Sequence, residues 1–232
     1  MTVAGSFAPS LAAFITLRIT QRRWPAPSRF TLKAAIVSAV VAPLLIAATF
    51  AIIPAVLLTK GSPSALRWSI LLSASVFSVS TLIGGPLGEE PGWRGFALPR
   101  LQVLLGPARA SILLGMLWAA WHLPLFLTKA WTSSSFPNYA LIVTGLSFAM
   151  TFLFNLSGES VVAAIAAHAF FNTASRWLGG LLNGANLRDK PSPELVLGLC
   201  GWGAALLLLA ATRGRLAYRR PAASEPAWQT PR

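Results

Sequence analysis

Six stretches of this sequence, at about 34–59, 66–83, 108–127, 139–156, 161–182 and 194–211, are apolar over lengths that soluble folds rarely absorb. A membrane helix needs about 20 mainly apolar residues. In hydrocarbon the backbone must satisfy its own hydrogen bonds, so such stretches span as helices. Pro43 and Pro54 inside the first stretch do not argue against it, because membrane helices tolerate proline as a kink. A weaker apolar stretch at 3–17 contains Pro9 and reads as a marginal or truncated extra span. The expected fold is therefore all-α, a polytopic membrane helix bundle of about six to eight helices.

Three parts follow from this pattern. Residues 1–33 hold the weak first span and a basic, proline-broken loop, 34–211 form the transmembrane core, and 212–232 read as a basic, disordered tail. Arg18, Arg22, Arg23, Arg29 and Lys33 crowd the loop, and Arg213, Arg215, Arg219 and Arg220 crowd the tail. The positive-inside rule puts both in the cytoplasm, and six crossings between them agree. The expected location is the cell (inner) membrane, with the segment after residue 83 at the cytoplasmic end of its span. Basic residues before the first apolar stretch are lacking, so a cleavable signal peptide is not expected.

Composition enters here as an exclusion. The net charge of +13 would suggest nucleic acid in a soluble protein, but only 11% of the residues are charged and 55% are hydrophobic. The cations sit in connecting segments, where they suit anionic lipid head groups, and no basic stripe is interleaved with exposed aromatics. No nucleic-acid partner is expected; the lipid bilayer is. Cys200 stands alone, which excludes an intramolecular disulfide and a cysteine-based zinc site.

Against that apolar background three polar clusters stand out. The chain has six acidic residues, and Glu89 and Glu90 are adjacent. Its two histidines, His122 and His168, lie in Trp118-x-x-x-His122 and His168-x-x-x-Asn172. An ionisable residue at membrane depth is a functional hypothesis by default. Glu90 and Arg94 are spaced i, i+4 and can pair on one helical face. Glu89 is turned away by about 100° and can serve a different partner. Pro91 lacks an N–H and belongs in the first turn of a helix, so a helix starting near Gly88 or Glu89 is expected. That start puts both carboxylates at the positive end of the helix dipole.

A carboxylate, two imidazoles and an amide converging in a bundle form a set that can activate water. Glu89 can take a proton from water, the histidines can orient it or donate to an oxyanion, and Asn172 can add a hydrogen bond to a tetrahedral intermediate. The same residue types allow zinc bound through Glu89, His122 and His168, with a position open for water. No cofactor is favoured and zinc is the alternative. The bland readings are a solvated charge pair at a helix start for Glu89 and Glu90, and interhelical hydrogen bonds for the histidines and Asn172. Trp93, Trp118 and Trp121 read as packing or pocket walls, and Asn155 has no assigned role.

Glu-Glu-x-x-x-Arg at 89–94, aromatic-x-x-x-His at 118–122 and His-x-x-x-Asn at 168–172, in this order on separate helices, resemble the CPBP family of intramembrane proteases. That family, also called the Abi or CAAX-protease family, includes the Rce1-type prenyl-protein endopeptidases. Glu-Glu-x-Gly-Trp-Arg-Gly-Phe-x-Leu-Pro-Arg-Leu at 89–101 and Trp-x-x-Trp-His-Leu-Pro-Leu at 118–125 carry the likeness further, which covers about 80–180. The resemblance implies that Glu89 activates water and that His122, His168 and Asn172 complete the catalytic site. It implies supporting roles for Glu90, Arg94 and Trp118. The family has been labelled as metalloproteases, whereas a metal-independent glutamate mechanism is the favoured reading. Two departures are Pro91, where an ordinary residue is expected, and Trp118 in place of a common Phe.

The implied function is an intramembrane endopeptidase that cuts a membrane-associated or lipidated substrate, prenylated and CAAX-like in one form, at a site facing the cytoplasm. Two alternatives come from other classes: a transporter in which the same groups relay protons, and a bacteriocin-immunity protein of the same family that cuts no CAAX substrate.

Overall fold

The computed structural model describes residues 3–21, 31–57, 82–83, 85–128, 135–182 and 191–220. The expected span at 66–83 lies outside these residues, apart from Leu82 and Ile83. Among the described residues every regular element is helical, as an all-α bundle requires.

The chain begins with α1 (Val3–Ser6) and α2 (Ala8–Gln21). Next come α3 (Leu32–Ile36) and α4 (Ala42–Leu57), joined by one widened turn at Val37–Val41. Then α5 (Pro86–Gly92) runs through a second widened turn, Trp93–Ala97, into α6 (Leu98–Leu105). The long helices α7 (Pro107–Leu127), α8 (Phe136–Leu156), α9 (Val161–Leu182) and α10 (Pro193–Ala211) complete the bundle. Each widened turn contains the carbonyl four residues before a proline, Ala39 before Pro43 and Gly95 before Pro99. A proline ring clashes with that carbonyl, and an extra residue in the turn relieves the clash without breaking the helix.

Among the described residues four helices are long and apolar enough to cross a membrane: Leu32–Phe50, Pro107–Leu127, Phe136–Leu156 and Pro193–Ala211. The expected span at 161–182 forms a helix of the full length but is not among them, because His168, Asn172 and Arg176 interrupt its apolar run. The loop expected up to Asn138 gives way three residues early. Ser135 caps α8 by accepting from the Asn138 N–H, and Pro137 sits in the first turn, where it is tolerated.

The centre of the bundle is α8. It is buried without interruption from Ile142 to Phe148, so no face of it is lipid-exposed there. One core joins Ile142 and Leu153 of α8 to Val37, Ala42, Ile46 and Phe50, to Ala163 and Ala167 of α9, and to Val196 of α10. A second joins Val143, Met150 and Phe154 of α8 to Leu98 of α6 and Leu114 and Trp118 of α7. A Cβ on Gly115 would come within 2.7 Å of the Thr144 Cα, so α7 reaches α8 at backbone distance.

One end of the bundle gathers the start of α3, the α6–α7 corner, the α8–α9 turn and the end of α10. Gly106, at φ 74°, turns the chain from α6 into α7, so the two run antiparallel. Gln102 and Asn155 exchange two hydrogen bonds across this end (3.1 and 2.7 Å), and Asn155 also donates to the Leu216 carbonyl at 2.9 Å. Leu216 is fully buried and its N–H is held by Thr212 Oγ1 at 3.0 Å. The tail therefore does not become disordered at 212. Residues 212–220 are a run of tight turns, with Arg213, Gly214, Leu216 and Ala217 left-handed. Left-handed backbone is unfavourable for Leu216, and the buried side chain and two hydrogen bonds offset it. Residues 221–232 lie outside the described residues.

Replacing Asn155 by alanine leaves the Gln102 amide and the Leu216 carbonyl unpaired. The expected loss is about 1–3 kcal/mol of stability. Thermal unfolding in detergent, read beside wild type, checks it.

Candidate active site

Glu89 and Glu90 sit in the short helix α5, which starts at Pro86, not at Gly88 or Glu89 as expected. Pro91 is therefore an interior residue of that helix. Glu89 still falls in the first turn, where a carboxylate faces the positive end of the helix dipole.

The two carboxylates diverge, as their rotation along the helix requires. Glu89, 3% exposed, accepts a hydrogen bond from the Trp118 indole N–H at 2.8 Å. Glu90, fully buried, accepts at Oε1 from Arg94 Nη1 at 3.0 Å and from His168 Nδ1 at 2.8 Å. Arg94 is fully buried too. A buried charge without a partner is costly, so Glu90 and Arg94 hold each other in place. Glu90 Oε2 and Arg94 Nε and Nη2 have no protein partner among the described residues, so the pair keeps spare hydrogen-bonding capacity.

Trp118 connects the rest. Its indole N–H serves Glu89, and its ring face lies 4.5 Å from the Arg94 guanidinium carbon. Its ring meets that of His168 edge-on, 5.0 Å centre to centre. Its carbonyl accepts from His122 Nδ1 at 2.9 Å. Both histidines thus point Nδ1–H at an oxygen that can only accept, which makes Nε2 the basic nitrogen in each neutral ring. The His122 ring lies edge-on to Trp118, 6.4 Å centre to centre.

The geometry brings Glu89, Glu90, Arg94, Trp118, His122 and His168 into one buried cluster. Asn172 follows His168 by one turn of α9 and is half-buried, and it is not among the hydrogen-bond partners that tie this cluster together. Sequence reasoning treated Trp118 as a wall and missed that its N–H serves Glu89. It also missed Tyr139, whose ring centre lies 5.2 Å from that of His122. The usable signal for Tyr139 was scarcity, since the chain has two tyrosines.

The depth of the site also differs from expectation. Trp118 lies about 18 Å along α7 from the Gly106 corner, near the middle of that helix. Glu89 bonds to it there, so the glutamate pair lies inside the bundle and not at its end. As for zinc, no group of three or more His, Cys, Asp or Glu side chains among the described residues is arranged to hold a metal ion. One imidazole bonds through Nδ1 to Glu90 and the other through Nδ1 to a backbone carbonyl, the kind of bond that also orients a histidine binding metal through Nε2. No step is routed through a metal.

Residues 71–174 match a protein-family model described as type II CAAX prenyl endopeptidase Rce1-like. A curated relative from Methanococcus maripaludis, "CAAX prenyl protease 2", is 32% identical over 92 residues, which cover 36% of this chain and 34% of that protein. The chain thus matches about a third of the length of this relative. All three polar clusters fall inside the matched segment.

The buried pair makes an unequal demand on single and double variants. Glu90→Ala or Arg94→Ala leaves one unpaired buried charge and is expected to cost about 3–5 kcal/mol. Glu90→Leu with Arg94→Met removes both charges and should cost less than either single change. Unfolding midpoints of the three variants in one detergent decide it.

Proposed function

We propose that this chain, which over residues 71–174 belongs to the Rce1-like family, is an intramembrane endopeptidase. It hydrolyses a peptide bond near the C-terminus of a membrane-associated substrate, prenylated and CAAX-like in its first candidate form. The relatives' printed descriptions, CAAX prenyl endopeptidase and CAAX prenyl protease, support that substrate class. The protein is integral to the membrane, consistent with the four membrane-length apolar helices among the described residues. The observation that carries the reading is the buried Glu89 carboxylate held by the Trp118 indole, beside two histidines whose Nδ1 atoms are already committed.

In this reading Glu89 is the general base. It removes a proton from water as the oxygen attacks the scissile carbonyl. His122, with Nε2 as acceptor, takes the water's other hydrogen as a hydrogen bond and orients the nucleophile. His168 is held through Nδ1 by Glu90, which fixes its ring. An Nε2–H on His168, present when the ring carries both protons, and the Asn172 amide donate to the oxyanion of the tetrahedral intermediate. The proton held by Glu89 passes to the leaving nitrogen as the carbon–nitrogen bond breaks. Glu90, Arg94 and Trp118 hold these groups and do not touch the reacting atoms.

Orientation belongs to the same proposal. Lys33, Arg213, Arg215, Arg219 and Arg220 all lie in segments at the Gly106 end of the bundle, which the positive-inside rule assigns to the cytoplasm. Substrate from the cytoplasmic leaflet then reaches a site near mid-membrane.

Detergent-purified protein should cleave a prenylated C-terminal peptide. Glu89→Gln should lower the rate by about 100-fold or more, since general-base catalysis contributes on that scale. A chelator should leave the wild-type rate unchanged. Loss of cleavage under chelator, restored by zinc, would move Glu89 and the histidines to metal ligands. No cleavage by any sample would remove the prenyl-substrate reading and favour proton relay or immunity. An immunity phenotype that survives Glu89→Gln would then select binding without hydrolysis.

A further inference from the structure

The helix that carries the two carboxylates does not complete its own hydrogen bonds. Pro91 has no N–H to offer the Leu87 carbonyl. One step later a side chain from elsewhere bonds both the Gly88 carbonyl and the Gly92 N–H, the two groups normally joined across one turn. Ser10 of α2 accepts from the Gly92 N–H at 3.1 Å and donates its hydroxyl hydrogen to the Gly88 carbonyl. The Trp93 N–H is then shared between the Glu89 and Glu90 carbonyls. A side chain inserted into a helix ladder is one of the few causes of a sharp local bend. Here it occupies the turn that contains both glutamates.

Two glycines make room for it. A Cβ on Gly88 would lie 2.7 Å from the Ser6 carbonyl oxygen, and one on Gly92 would lie 2.3 Å from the Pro9 carbonyl carbon. Gly88 and Gly92 are spaced i, i+4 and bracket Glu89 and Glu90, so α2 lies at backbone distance along one face of α5. Six other helical hydroxyls set the contrast. Thr16, Thr20, Ser38, Thr49, Ser111 and Thr173 each bond to the carbonyl four residues back in their own helix. Ser10 instead reaches across 78 residues of chain to the carboxylate turn.

We propose that Ser10 is a positioning residue for Glu89 and Glu90, and that α2, which precedes the family-matched segment, is a working part of the site. The hydroxyl sets the pitch of the turn, and that pitch decides whether Glu89 meets Trp118 on α7 while Glu90 meets His168 on α9. Its effect on turnover rests on the protease reading above. Its effect on the backbone of α5 does not.

The test uses full-length protein in detergent, as Ser10→Ala and Ser10→Thr beside wild type. Backbone hydrogen exchange is followed by mass spectrometry, and steady-state cleavage of the prenylated peptide is measured on the same samples. Loss of one hydrogen bond of this kind predicts exchange about tenfold faster in peptides covering 86–97 for Ser10→Ala, with peptides from 193–211 unchanged. It predicts a kcat about tenfold lower with KM within about twofold, because the defect is in placing the base and not in binding. Ser10→Thr keeps the hydroxyl and should restore both values. Should Ser10→Ala not fold, Ser10→Cys, a weaker hydrogen-bonding group, must show intermediate exchange and kcat. Unchanged exchange at 86–97 overturns the proposal, as does faster exchange spread evenly over the chain. Faster local exchange with unaltered kcat reduces Ser10 to a packing residue. If wild type cleaves nothing, the protease reading fails, and the exchange comparison still decides whether Ser10 shapes the carboxylate turn.

Discussion

Burying Glu90 and Arg94 together is the constraint on which the rest of this structure depends. Neither side chain has any exposure, and the medium around them is a bundle of apolar helices. A charge in such a medium must be paired and hydrogen-bonded or it unfolds its surroundings. Glu90 meets this with two donors on one oxygen, Arg94 from its own helix and His168 from α9. That second bond ties the carboxylate helix to α9 and sets the ring of His168. The Trp118 ring completes the arrangement by lying over the guanidinium. Once those groups are placed, Glu89 has one direction left, toward the indole N–H.

The scaffold around this cluster works by close backbone approach. α8 is buried on every side through its middle, and α7 reaches it at a glycine. α5 and α6 fold back on α7 about Gly106, so residues on either side of that corner come to the same depth. The clamp made by Gln102, Asn155 and Leu216 closes the cluster-distal end of the same hairpin. It joins α6, α8 and the chain after α10 in one buried polar knot. Buried polar knots of this kind are costly when incomplete, and here each amide and carbonyl named has a partner.

Much of the site was legible because polar residues are so scarce in this chain. Glu89, Glu90, Arg94, His122 and His168 stand out against apolar runs, and the i, i+4 spacing of Glu90 and Arg94 already implied their pairing. The long helices were legible for the same reason, from apolar length alone. Other features could not be read. Asn155 and Gln102 are 53 residues apart and become partners only because α6 crosses the end of α8. Pro91 was expected in a first turn because proline is hard to place elsewhere. It sits in the helix interior, and one step along a serine from α2 bonds both the Gly88 carbonyl and the Gly92 N–H. The tail after 212 looked disordered by composition, yet Leu216 finds a buried seat beside Phe148 and Ala205.

The amino-acid sequence by itself determined that this protein is an all-helical membrane bundle and named the groups able to do chemistry in it. Both follow from local rules: the length of an apolar run, the period of a helix and the cost of an ionisable side chain in hydrocarbon. The tertiary structure alone decided which oxygen each histidine serves, that the Trp118 N–H belongs to Glu89, and that Ser10 enters the turn carrying both glutamates. Those choices depend on which helices become neighbours and at what depth. That is set by packing that joins residues as far as 82 positions apart in these bonds, and no local pattern encodes it.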